Sequence, residues 1–204
     1  PMGEKTGDLI FQYLRNCSFA AVDAGMNIAL IVHLDDQSYQ GFWRNELKFD
    51  PLIRYNGISY DDHILQPISN VVSDLFKYSP NVQLKWTLQG EMGATLAFAS
   101  SSYQKILRNF KKRFDRKNIQ FGVSLNYNKV NGGAQIEQLE DYNKLLQEMD
   151  YLGVSAYHPL PVDFKARDFS WSLVSLKREL RKLDVHVPSN LDIQYSEFGL
   201  GLSL

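Results

Sequence analysis

The chain has 204 residues, of which 44% are hydrophobic and 22% are charged, and these values are typical of one globular domain with a sizeable core. The formal net charge of −1 gives no overall field that would attract nucleic acid or a membrane surface, so we expect neither partner. The single cysteine, Cys17, excludes an internal disulfide framework and a metal site with several cysteines, and we expect it in the core.

Neither a membrane span nor a targeting segment is recognisable in the sequence. The longest apolar run, residues 28–32, is far too short to cross a bilayer. We see no signal peptide, and we therefore assign no localisation. Because a helical pattern begins almost at the first residue, we interpret residues 1–204 as a single domain that is truncated at both ends.

The hydrophobic pattern predicts five strands that alternate with helices. Apolar residues at helical spacing predict helices over about residues 8–24, 61–77, 100–116, 135–149 and 170–183. Nearly continuous apolar runs predict strands over residues 26–35, 82–91, 119–127, 151–158 and 191–199. Strands of this character between helices are typical of parallel βαβ units with both sheet faces covered, so the predicted class is α/β.

Five such strands fit either an open parallel α/β sheet or part of a (β/α)8 TIM barrel. An open sheet that binds a nucleotide needs a glycine-rich phosphate turn after an early strand, and the sequence contains none. The predicted strands end instead in HLDD, QGE, NYN, YHP and SEFG. Because TIM barrels place their catalytic residues at the ends of several strands, we predict an incomplete TIM-type barrel and keep the open sheet as the alternative.

Two glutamates lie beside glycines at the ends of predicted strands, Glu91 in QGEMG and Glu197 in SEFG. Glycoside hydrolysis uses such a pair of carboxyl groups, one as a general acid and one as a nucleophile or base. Strand alternation places Glu91 with the polar residues, but Glu197 shares the side of apolar Ile193 unless a bulge intervenes. The alternative is a helix-capping carboxylate at position 91 and a loop acid paired with a lysine at position 197.

Other polar and aromatic residues near strand ends are candidates for binding a sugar. An indole ring stacks on a pyranose, an arginine offers a fork of donors, and a tyrosine hydroxyl can keep a nucleophilic carboxylate ionised. The predicted substrate-binding residues are His33, Asp35, Trp43, Arg44, Asn126, Tyr127, Tyr157 and His158. Each could equally serve packing or a turn, and we expect Trp86 and Trp171 in the core. The histidines lack an H-x-x-x-H spacing, so we expect no metal site.

The positions of the two glutamates resemble those of clan A, the TIM-barrel clan of retaining glycoside hydrolases. In that clan the acid/base follows strand four and the nucleophile ends strand seven, so strands three to seven would be present here. The stretches LIVHLDD, GFWRNELKFDP and MDYLGVSAYHPL are similar to the β-mannanase-type glycoside hydrolase family 113. The resemblance implies a retaining hydrolase of a β-linked polysaccharide or oligosaccharide, mannan first, with Glu91 as acid/base, Glu197 as nucleophile and no cofactor.

The sequence departs from that clan in two respects. Gly90 stands where members often carry asparagine, so a hydrogen bond to the sugar 2-hydroxyl is absent or comes from elsewhere. Strands one, two and eight are not found, and an open wedge of strands would expose edges that invite association. The alternative function is therefore a non-catalytic glycosidase-like barrel that binds carbohydrate or serves as a structural module.

Overall fold

A computed structural model shows an α/β fold and describes residues 4–35, 43–115, 117–157 and 163–199. The strands are β1 (Ile28–Ile31), β2 (Leu84–Gly90), β3 (Ile119–Asn126), β4 (Tyr151–Ala156) and β5 (Asp192–Phe198). They form one sheet in the order β1-β2-β3-β4-β5, and every neighbouring pair is parallel. The predicted α/β class is confirmed, and the described part of the chain forms five parallel strands rather than a closed eight-stranded barrel.

Helices connect the strands along the chain. They are α1 (Glu4–Asp23), α2 (Gln66–Tyr78), α3 (Gly93–Phe98), α4 (Ser100–Arg113), α5 (Leu139–Glu148) and α6 (Trp171–Lys182). A π-helical turn at Asp61–Leu65 leads into α2, and short 3-10 turns lie at Arg44–Glu46 and Ala166–Ser170. The prediction missed α3, a helix of only 6 residues, and it made the first strand too long. No helix of the described ranges is long and apolar enough to span a membrane.

The sheet is strongly curled. Neighbouring strands lie about 4.8 Å apart, so a flat sheet would separate β1 from β5 by roughly 19 Å. Yet His33, which follows β1, brings its Nε2 atom within 2.6 Å of Oε1 of Glu197 in β5. Lys85 of β2 likewise contacts Gln194 of β5 across two intervening strands. The curl gives the sheet a concave face on which side chains from distant strands meet.

The hydrophobic core lies between the convex face of the sheet and the helices. Trp86 of β2 is fully buried, as predicted, and its ring packs against Phe110 of α4 and Phe121 of β3 at centroid distances of 4.6 and 5.7 Å. Alternate residues of each strand point to the helices, because side chains on a strand alternate between its two faces. The residues between them are therefore left to line the concave face.

Two core predictions are wrong. Trp171 begins α6 and is 65% exposed, together with Val174 one turn later at 60%. Cys17 is exposed on α1, where Tyr13 on the same face is 60% exposed. In both helices apolar residues cover more than one side, and only the opposite side of each helix packs against the core. A helical apolar pattern alone therefore overestimated what these helices bury.

Candidate functional site

A one-residue bulge lies near the end of β5, which contains Glu197, and another lies near the end of β2, which Glu91 follows. In β5 the pairing passes from Val154 opposite Tyr195 to Ser155 opposite Glu197, so one extra residue is inserted. Since Ser155 faces the concave side, the bulge turns Glu197 to that side and resolves its conflict with simple alternation. In β2 the pairing with β3 also slips by one residue between Thr87 and Gly90. The bulge in β2 sets Gly90, rather than Glu91, opposite Ser124, and Glu91 follows the strand with a left-handed backbone. A bulge thus turns Glu197 to the concave side, whereas Glu91 is placed by its contacts with Asn126 and Arg44.

Two residues contact the carboxyl group of Glu197. Tyr157 follows the neighbouring strand β4, and His33 follows β1 at the opposite edge of the sheet. The Tyr157 hydroxyl donates a hydrogen bond of 2.8 Å to Oε2. Nε2 of His33 lies 2.6 Å from Oε1, at ion-pair distance but outside the directional geometry of a hydrogen bond. The hydrogen bond to Glu197 raises the pKa of Tyr157, and partial burial and the negative charges of Glu197 and Glu91 raise it further. Tyr157 therefore remains a donor to this carboxylate over the neutral pH range.

Glu91 sits in a strained and nearly closed position. Its φ of 55° is left-handed, a conformation uncommon for a residue with a long side chain, and the residue is only 4% exposed. Asn126 Nδ2 donates to its Oε1 over 3.2 Å, and Nε of Arg44 lies 3.5 Å from its Oε2. Strain of this kind persists only where the surroundings fix the backbone, and it is often found at functional sites.

Arg44 carries its charge between two carboxylates. Its Nη1 donates a 3.0 Å hydrogen bond to Oδ1 of Asp35, while its Nε lies near Glu91. Asp35 is largely solvent-exposed, and Arg44 is mostly covered. The guanidinium group is therefore shared between a buried and an exposed acid, and its field on Glu91 is partly offset by Asp35.

His33 connects the surroundings of the two glutamates. A Cβ atom placed on Gly90 would lie 2.2 Å from both Cδ2 and Nε2 of the His33 ring. No residue other than glycine fits at position 90 while the ring stays beside Glu197. The imidazole therefore occupies the space that a side chain at position 90 would need.

The floor of the concave face beneath the glutamates is polar. The hydroxyl groups of Thr87 and Tyr151 are 2.7 Å apart, and the ammonium group of Lys85 lies 5.8 Å from the centre of the Tyr151 ring. Three serines from successive strands, Ser124, Ser155 and Ser196, join their hydroxyl groups in one cluster. A polar lining of this kind suits a site that binds hydroxylated molecules rather than an apolar pocket.

The structure brings together seven of the ten predicted site residues. These seven form two sets of direct contacts, and the His33 ring over Gly90 brings the sets side by side: Asp35, Arg44, Glu91 and Asn126 in one, and His33, Tyr157 and Glu197 in the other. Trp43 lies at the rim, where Lys129 Nζ is 5.7 Å from the centre of its ring. Tyr127 is half-buried and packs against the hydrophobic core, and His158 lies outside the described residues.

Asn45 and Lys85 belong to the surroundings of the site and were not predicted. Asn45 follows the predicted Trp43 and Arg44 directly, but a single amide in a connection carries no periodic signal that would single it out. Lys85 did stand in the polar half of its strand's alternation, which was the available signal for a concave-face residue. No cluster of three or more metal-ligating side chains occurs among the residues with described positions.

Comparisons with known proteins assign no family. No protein-family model matches the chain, and no curated protein matches it. A crystal structure of an endo-laminarinase from Formosa is similar at 16% sequence identity and a TM-score of 0.39. That match covers 63% of this chain and 41% of the laminarinase chain, so this chain spans less than half of that structure's length. A similarity at this level carries no argument about function, so a functional proposal depends on the geometry of the site.

Proposed function

We propose that the protein is a retaining glycoside hydrolase that acts on a β-linked polysaccharide or oligosaccharide. The observation that carries the proposal is that the His33 ring packs over Gly90, next to Glu91, while its Nε2 atom contacts Glu197, so that two carboxyl groups from separate strands lie around one polar mouth. A pair of carboxyl groups facing one cleft is what both steps of a double displacement need. The left-handed backbone of Glu91 adds support, since such strain is often found at functional sites.

In this proposal Glu197 is the nucleophile. Its carboxylate oxygen attacks the anomeric carbon, the bond to the leaving oxygen breaks, and a covalent glycosyl-enzyme forms. The hydrogen bond from Tyr157 supports this role, because it engages one carboxylate oxygen and so orients the group. His33 supports it further, since its ring limits the positions that the carboxylate can take.

Glu91 is proposed as the general acid and base. As the acid it transfers its proton to the leaving oxygen while Glu197 attacks. In the second step the Glu91 carboxylate takes a proton from water, and the resulting oxygen attacks the anomeric carbon and releases Glu197. Asn126 and Arg44 support this role, because their contacts hold the carboxyl group in one position at the mouth.

The substrate proposal rests on the resemblance to β-mannanase-type hydrolases and on the chemistry at the mouth. Mannan is the first candidate. The residues proposed to contact the sugar are His33, Asp35, Trp43, Arg44, Asn126, Tyr127, Tyr157 and His158. Among them Tyr157 is the most accessible residue that also contacts a glutamate, at 46% exposure. No cofactor is needed, because the two carboxyl groups carry the chemistry.

We also propose that the curled sheet is the wall of a (β/α)8 barrel. In a barrel of eight strands, the first and fifth of five consecutive strands stand opposite each other, and the interior is just wide enough for side chains to fill. The contact between His33 and Glu197 agrees with that curvature. Three further strands would complete such a barrel, and the edges of β1 and β5 are the places where association would occur.

The activity test compares two glutamine variants on soluble β-linked glycans, including mannan and laminarin. Glu91→Gln and Glu197→Gln each remove one ionisable group with little change in shape. We expect both to lose at least about a hundredfold in kcat while keeping the circular dichroism spectrum of the wild type. Glu137→Gln is the matched control, because Glu137 pairs with Lys48 on the surface. Equal activity in all variants, or no hydrolysis of any glycan, would overturn the proposal.

A carbohydrate-binding module without catalysis is the second candidate. The burial of Glu91 favours it, because a general acid must reach the glycosidic oxygen and only 6% of this side chain is exposed. Binding of the same glycans in affinity electrophoresis, without release of reducing sugar by the wild type, would support this alternative. Binding retained in Glu91→Gln together with hydrolysis by the wild type would support the enzyme.

A further inference from the structure

Asn45 is a completely buried side chain that joins three separate segments of the chain. Its Oδ1 accepts a 2.7 Å hydrogen bond from the backbone N–H of Gly93, at the start of α3. Its Nδ2 donates a 2.5 Å hydrogen bond to the backbone carbonyl of Lys129, in the connection after β3. One amide group thus satisfies a backbone donor on one loop and a backbone acceptor on another.

The backbone around Asn45 is packed so closely that glycine is required at two of the neighbouring positions. A Cβ on Gly132 would lie 1.7 Å from the carbonyl oxygen of Asn45, and Gly132 also has a φ of 58°. A Cβ on Gly93 would lie 2.3 Å from the carbonyl oxygen of Val130. The three loops therefore meet at van der Waals contact, with the Asn45 amide at their centre.

Each of the three joined segments carries one participant of the Glu91 contacts. Arg44 directly precedes Asn45, Glu91 lies two residues before Gly93, and Asn126 lies three residues before Lys129. The side chains of Arg44 and Asn126, which contact Glu91, thus belong to the same segments that Asn45 connects by hydrogen bonds. Displacement of any one loop would separate Glu91 from a partner.

We propose that Asn45 is the positioning residue that fixes the Glu91 carboxyl group relative to Arg44 and Asn126. This role rests on the proposed function, in which Glu91 delivers a proton to a leaving oxygen. The left-handed backbone of Glu91 makes such a support necessary, because a residue in that conformation keeps it only while its surroundings enforce it. Asn45 does not touch the substrate; it acts through Glu91.

The test measures how much each variant depends on the leaving group. Aryl β-glycosides of mannose and glucose are prepared with a phenyl and with a dinitrophenyl leaving group, and only the phenyl compounds need proton donation. In Asn45→Ala we expect kcat/KM for the phenyl glycoside to fall at least about tenfold more than kcat/KM for the dinitrophenyl glycoside. Asn45→Asp keeps the acceptor for Gly93 and loses the donor to Lys129, so we expect a smaller change in the same direction.

Thr95→Val is the matched control. Thr95 is also fully buried, and its hydroxyl donates a 2.6 Å hydrogen bond to the carbonyl of Leu47, so it tethers the same loop to α3 away from Glu91. We expect this variant to lose activity equally with both leaving groups. If folded Asn45→Ala and Asn45→Asp each lost the same factor in kcat/KM with the phenyl and the dinitrophenyl glycosides, the proposed role would be overturned.

A crystal structure of Asn45→Ala separates this inference from the proposed function. We expect the Glu91 carboxyl group to move by about 1 Å or more and to lose its contact with Asn126. A carboxyl group that stays within about 0.5 Å of its original place would refute the positioning role, whatever the activity. If the wild type hydrolyses no glycoside while this displacement is seen, the proposed function fails and the positioning of Glu91 by Asn45 stands.

Discussion

Nε2 of His33 lies 2.6 Å from Oε1 of Glu197, although His33 follows one edge strand of the sheet and Glu197 lies in the other. The contact spans the concave face, and it is possible only because the sheet is curled. The ring of His33 also fills the space over Gly90, next to Glu91. One imidazole ring therefore lies beside both glutamates, in a position that only the curled sheet allows.

The first prediction concerns the space between Gly90 and His33. Gly90→Ala places a methyl group where the imidazole lies, so we expect the free energy of unfolding to fall by about 1–3 kcal/mol and the activity to be lost. His33→Ala removes the nearer obstacle, while Cγ2 of Ile31 stays 2.8 Å from the added carbon. In a double-mutant cycle measured by urea unfolding, Gly90→Ala should be less destabilising in the His33→Ala background. Additive effects would show that the ring does not occupy this space.

The second prediction concerns the left-handed backbone of Glu91. Glu91→Gly and Glu91→Ala both remove the carboxyl group and its contacts, and they differ mainly in backbone preference at a φ of 55°. We expect the glycine variant to be the more stable of the two by about 1 kcal/mol in guanidinium unfolding. At Lys165, where φ is −117°, we expect Lys165→Ala to be more stable than Lys165→Gly. An alanine variant as stable as the glycine variant would contradict the strained conformation.

The third prediction concerns the hydrogen bond between Tyr157 and Glu197. This bond is the largest cause that raises the pKa of Tyr157, and burial and nearby negative charge raise the pKa further. The tyrosine should therefore titrate above its ordinary range. Glu197→Gln removes the charge and should move that pKa back toward the ordinary value. The measurement is a pH titration of ¹³C-labelled tyrosines by NMR, with Tyr157→Phe to assign the signal. An unchanged Tyr157 titration in Glu197→Gln would exclude the contact in solution.

The fourth prediction concerns stability at alkaline pH. Burial raises the pKa of Tyr142, so the folded protein keeps this proton to higher pH than the unfolded chain does. The unfolded state therefore binds fewer protons above about pH 10, and stability falls as the pH rises, by up to about 1.4 kcal/mol per pH unit for one group. Tyr142→Phe should flatten this decline in urea unfolding curves taken between neutral and alkaline pH.

The same variant makes a prediction at neutral pH. The Tyr142 hydroxyl is buried and has no hydrogen-bond partner among the residues whose positions are described. Its removal should therefore leave the free energy of unfolding unchanged or raise it by about 1 kcal/mol. A clear loss of stability would reveal a partner of the hydroxyl. Tyr103→Phe, which removes a second buried hydroxyl of this kind, serves as a parallel case.

The order of strands and helices could be predicted because it depends on hydrophobic periodicity, which is local. The approximate strand ends could also be predicted in this way, and so Glu91, Glu197 and Tyr157 could be selected from the sequence as candidates. The bulge before Glu197 was not predicted, because the pairing of β4 with β5 decides where the extra residue goes. Periodicity predicts which side of a strand a residue faces only while the register holds.

Three further features depend on tertiary contacts that no local pattern contains. The exposure of Trp171 depends on which side of α6 packs against the sheet, and the apolar character of one residue does not predict that side. The role of Asn45 arises from loops that are far apart in sequence and meet in space. The need for glycine at position 90 cannot be read from the sequence, because it comes from the positions of His33 and Ile31 in space.

The covalent state of Glu197 during turnover tests the central claim most directly. The protein is incubated with deoxyfluoro glycosyl fluorides of mannose and glucose, which slow the second step of a double displacement, and the labelled peptide is identified by mass spectrometry. We expect one sugar per chain, attached to Glu197 and absent in Glu197→Gln. A label on Glu91 or on another residue, or hydrolysis of a glycan with inversion and no label, would contradict the retaining mechanism with Glu197 as its nucleophile.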